Sequence, residues 1–122
     1  MSKIKLDKNV YMPYIKENFG KEGHAYPDES VDLADHIGYF AQKWIDEAPW
    51  QKDPELDTPR ELRISLRRYI KRNIDLQDHR RSYFIPSFVW VFLAQQIIGW
   101  IVRMIIEHYW DQFSADFPKN KT

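Results

Sequence analysis

Residues 82–102 (SYFIPSFVWVFLAQQIIGWIV) run 21 positions without a charge, in a chain that is 30% Asp, Glu, Lys and Arg overall. As a helix the run is about 31 Å long at ~1.5 Å per residue, close to the ~30 Å hydrocarbon thickness of a bilayer. Such a segment either passes through lipid or is surrounded by protein, and the rest of the chain must serve one solution or the other. Gln95 and Gln96 fall at its middle, where an unpartnered amide costs several kcal/mol in hydrocarbon. On a helical wheel Gln96, Gly99, Arg103, Glu107 and Ser114 share one narrow stripe. In lipid that stripe has to meet another helix, Gly99 allowing close approach and the amides bonding across the contact. In water it is the wet edge of a buried helix. Arg103 lies about 12 Å along the axis from Gln95, at a depth where a long side chain reaches headgroups, so it does not forbid a span. A single transmembrane helix is the leading expectation, and a core or oligomer-interface helix is the competing one.

The charges cancel overall but are not evenly spread. Residues 1–59 carry 7 Lys and no Arg against 12 acids, residues 60–81 carry 8 basic residues against 3 acids, and residues 82–122 balance at 3 and 3. A basic block directly before an apolar run is the positive-inside arrangement, which would put the N-terminus on the cytoplasmic or matrix side. The opening MSKIKLDKNVYMPY has neither an apolar core nor a small-residue cleavage site, so no leader is expected there. Cysteine is absent, which removes disulfides, thiol nucleophiles and Cys-ligated metals.

Periodicity predicts an all-α chain of two amphipathic helices followed by the long hydrophobic one. Residues 1–27 read as an irregular arm with a short helix at 14–19. Asp28 and Ser30 offer N-caps for a helix over 28–48, whose apolar face is Val31, Ala34, Ile37, Ala41, Trp44, Ile45 and Ala48. Three prolines in PWQKDPELDTP mark a linker. Thr58-Pro59-Arg60-Glu61 is a capping box with proline at the first helical position, opening a second helix over about 59–78. Leu62, Leu66, Tyr69, Ile70 and Ile74 form its apolar face. Arg63, Arg67, Arg68, Lys71 and Arg72, with Arg80 and Arg81 beyond, make a basic face for headgroups or a partner. The hydrophobic helix is expected over 82–113 and a tail over 114–122.

A D-L-x-D-H echo links Asp32-Leu33-Ala34-Asp35-His36 to Asp75-Leu76-Gln77-Asp78-His79. On a helix each Asp/His pair lies one turn apart and could give two ligands to a divalent metal. The acids sit where helix ends favour charge, so the echo is read as structural, with no metal and no cofactor expected. No phosphate loop, nucleophile elbow or H-E-x-x-H is present, and no catalytic residue is assigned. The expected role is a non-catalytic accessory or assembly subunit of a membrane complex, for example of respiratory or ATP-synthase type. It would be anchored by one span, associate through Gln95, Gln96, Gly99, Arg103 and Glu107, and meet larger subunits, lipid headgroups or another copy of itself. The competing roles are a soluble helical-bundle adaptor that oligomerises through the last helix and, third, a nucleic-acid binder using the basic helix.

Overall fold

A computed structural model describes residues 4–80 and 85–118, and the described residues contain helices and turns but no strand. After a 3-10 turn at Lys8–Val10, α1 covers Met12–Phe19 and α2 covers Pro27–Glu47. A single turn, α3 (Pro49–Lys52), precedes α4 (Pro59–Asn73), and a second 3-10 turn occupies Leu76–His79. Then come α5 (Ser87–His108) and α6 (Trp110–Ala115). The all-α expectation holds, with one helix, α5, long and apolar enough to cross a membrane.

Local chemistry sets the boundaries. α2 starts with Pro27 in its first turn and Asp28 and Glu29 complementing the helix dipole, so neither Asp28 nor Ser30 is its cap. It ends at Ala48, held left-handed at φ 48° and ψ 57° with its N–H bonded to the Ile45 carbonyl; Pro49 then opens α3. Thr58 caps α4 as expected, its hydroxyl accepting from the Glu61 N–H at 3.1 Å. α4 stops at Asn73 rather than near 78, because Ile74 is extended and the Asp75 carboxylate takes the Gln77 N–H at 3.0 Å. A short acidic side chain bonding its own backbone competes with helix continuation. The expected 82–113 helix begins at Ser87 behind Pro86 and breaks at Tyr109. The Tyr109 hydroxyl accepts from the Asp7 N–H at 2.8 Å and donates to the Lys5 carbonyl at 3.3 Å, tying the N-terminal segment to this break.

The core gathers around α5. Its Trp90, Ala94, Ile97, Ile98, Ile101, Val102, Ile105 and Ile106 are buried, against Leu33, Ile37, Ala41 and Ile45 of α2 and Leu62, Leu66 and Ile70 of α4. Full burial of an aliphatic side chain of this size stabilises by about 1.5–3 kcal/mol, so this stripe is the main apolar reserve of the fold. From the N-terminal arm, Ile4, Tyr11, Met12 and Ile15 join the same cluster. Trp50, in the expected linker, is fully buried, its ring centroid 5.2 Å from Trp44 and 4.8 Å from Phe113. Its indole N–H reaches the Asp116 carboxylate at 3.2 Å, which explains how so large a side chain stays folded under a proline-rich segment.

Candidate functional site

The two residue sets singled out in the sequence, the polar stripe of α5 and the basic face of α4, lie side by side. α5 turns Phe88, Phe92, Gln95, Gln96, Trp100, Arg103 and Glu107 to solvent, opposite its buried stripe. Arg60, Arg63, Ile64, Arg67, Arg68 and Lys71 line a shallow depression along α4. A neighbouring depression is lined by Arg67 together with Gln95, Gln96, Gly99, Trp100 and Arg103. Arg67 is common to both. One guanidinium nitrogen stands 3.0 Å from where a Cβ at position 99 would lie, so the absence of a side chain at Gly99 is what lets this arginine rest on α5.

The stripe is partly self-satisfied. The Arg103 Nε donates to Glu107 at 3.0 Å, and its guanidinium carbon stands 5.7 Å from the Trp100 ring centroid. Both are exposed contacts of about 0–1 kcal/mol each. Tyr14 of α1 closes the other edge, with its ring 5.3 Å from that of Trp100. By contrast, among the described residues no carboxylate pairs with Arg63, Arg67, Arg68 or Lys71. Arg68 stands toward Asp53, Glu55 and Glu61, whereas Arg63, Arg67 and Lys71 form a row whose positive field a partner's acids can neutralise.

Three of the expected basic residues do other things or are not described. Arg72, like Arg68, borders a depression shared with Asp53, Glu55 and Glu61. Arg80 donates to the Ile85 carbonyl at 3.0 Å, bracing the segment before α5. Arg81, like Tyr83 and Phe84, lies outside the described residues. Trp100 was not among the expected site residues. The signal for Trp100 was its i,i+3 spacing to Arg103 beside the stripe.

The D-L-x-D-H echo behaves unequally. His79 is buried and its Nδ1 lies 2.9 Å from the Asp32 carboxylate, while its ring meets that of His36 edge-on at 4.5 Å. Asp75 is occupied as the cap of its own turn. No known protein family, curated protein or solved structure matches the chain.

Proposed function

We propose that this chain is a non-catalytic helical adaptor that docks on an acidic surface of a larger protein assembly through the joined faces of α4 and α5. The observation that carries this reading is Arg67: it lies against Gly99, halfway along the apolar helix, in a row with Arg63 and Lys71 for which no ion pair is found among the described residues. A span through that level would draw Arg67 into hydrocarbon or strip α4 from α5, exposing Leu62, Leu66 and Ile70. Packed as a bundle, the same helix needs neither. Trp100 and Arg103 at the centre of the face are the residue types that anchor interfaces.

The test uses immobilised polyglutamate as a defined acidic surface. The full chain should bind and lose affinity steeply between about 50 mM and about 300 mM NaCl. Arg67→Glu combined with Lys71→Glu should weaken binding at least about tenfold, equivalent to 1.4 kcal/mol or more. Lys16→Glu combined with Lys21→Glu should leave it unchanged. Equal binding by both double variants removes the α4/α5 face as the docking surface. Tighter, equally salt-dependent binding to duplex DNA would transfer the face to a nucleic-acid partner.

A second reading keeps α5 as a membrane anchor, with the basic block holding the N-terminus on the cytoplasmic or matrix side and the chain serving a membrane complex. The length of α5 and the exposed Phe88 and Phe92 at its N-terminal end favour it. Sedimentation with membranes after alkaline extraction supports that anchor, and a monodisperse detergent-free species excludes it.

A further inference from the structure

We propose that Asp32, His36 and His79 form a binding site for one divalent transition-metal ion, best suited to Zn2+, that fastens the 3-10 turn before α5 to α2. This site is separate from the α4/α5 face. Asp32 and His36 are one turn apart on α2, and the fold carries His79 to them from 47 positions beyond Asp32. One ligand atom from each residue, two imidazole nitrogens and a carboxylate oxygen, lie within 4.8 Å of one another. Bonds of about 2.0–2.2 Å to a tetrahedral ion place ligand atoms roughly 3.4 Å apart, so closing on the ion takes a displacement of about 1.5 Å at most, within reach of side-chain rotation.

The three residues divide the work. His79 is the fixed ligand: its side chain is 8% exposed and already sits 2.9 Å from Asp32 Oδ2. His36 is the adaptable one, with a side chain 50% exposed. Its Nδ1 lies 3.0 Å from the Asp32 carbonyl oxygen and 3.9 Å from Asp32 Oδ1, so the ring already stands beside the carboxylate. Solvent beside His36 supplies the fourth position. Two imidazoles with one carboxylate select Zn2+ and its neighbours over Mg2+ or Ca2+, which demand oxygen shells. The other described histidines lack this setting: His24 accepts the Lys21 N–H and His108 meets the Tyr109 ring edge-on.

The untagged full chain, stripped with chelator, is titrated with ZnCl2 and separately with CoCl2. One ion should bind per chain, Co2+ should give the visible absorption of a four- or five-coordinate site, and Zn2+ at about a hundredfold excess over Kd should raise Tm by about 10 °C. His36→Gln should weaken Zn2+ binding at least about tenfold while leaving the metal-free Tm unchanged. His79→Gln should abolish binding, and His24→Gln with His108→Gln should bind as the parent does. A Kd weaker than about 100 μM (less than ~5.5 kcal/mol of binding), or equal affinity in His36→Gln, overturns the site. If His79→Gln does not fold, the exposed His36 variant decides alone.

Discussion

The Tyr11 hydroxyl fills the space that a side chain at position 38 would need: a Cβ built on Gly38 of α2 overlaps the Tyr11 Oη. Tyr11 is 2% exposed, so the ring has nowhere to retreat. A glycine inside a helix normally costs about 1 kcal/mol against alanine, and here that cost lets the N-terminal segment close over α2. Gly38→Ala is expected to destabilise by about 1–3 kcal/mol in spite of its better helix propensity. Tyr11→Phe in the same chain should recover part of the loss, and a double-mutant cycle in urea measures the coupling.

Burial, then the nearby Asp35, Tyr109 and Asp7, push the Tyr11 phenol up from 10.0 to about 12. The folded state therefore holds this proton more tightly than the unfolded chain does. Its contribution is fully present below pH 10 and is lost as pH rises from there toward 12, at up to about 1.4 kcal/mol per pH unit. Tyr11→Phe should flatten that part of an alkaline stability profile followed by circular dichroism.

Trp50 is expected to behave as core despite its proline-rich setting. Trp50→Ala removes a fully buried ring from the cluster with Trp44 and Phe113 and leaves the Asp116 carboxylate without its indole donor. A loss of about 3–5 kcal/mol in chemical denaturation follows. A change within about 0.5 kcal/mol would mean that this turn is not packed as described.

Thr58→Ala should cost about 1 kcal/mol, through the lost bond to the Glu61 N–H, and shift the denaturation midpoint without changing the m-value.

Gly99→Ala separates the two roles of α5. In the bundle the added methyl meets only the tip of Arg67, which can move aside, so helix propensity wins and stability should rise by up to about 1 kcal/mol. Gly99→Leu combined with Gln96→Leu should displace Arg67 and weaken binding to polyglutamate while the fold persists. In a membrane-embedded contact the same pair would break helix association, chiefly by steric exclusion.

Much of this molecule is local and was legible as such. The Thr58-Pro59-Arg60-Glu61 start, the apolar spacing from Ala34 to Ile45 and the uninterrupted run in α5 are set by neighbours three or four positions apart, so periodicity and capping chemistry determine those helices. The joint presence of Gln95, Gln96, Gly99, Arg103 and Glu107 on one side of α5 follows from the same 3.6-residue period. What covers the opposite side does not, because an apolar stripe looks alike whether lipid or other helices bury it. Only tertiary packing decided that α2 and α4 lie there, that Arg67 rests on Gly99, and that Trp50 and Tyr11 enter the core from segments read as linker and arm. The echo makes the same division. Its first half sits on α2 as the spacing implies, but Asp75 caps a turn while His79 reaches Asp32. That meeting depends on where α4 stops and how the chain returns across α2, a balance of capping, loop geometry and burial between residues 47 positions apart that no sequence period encodes.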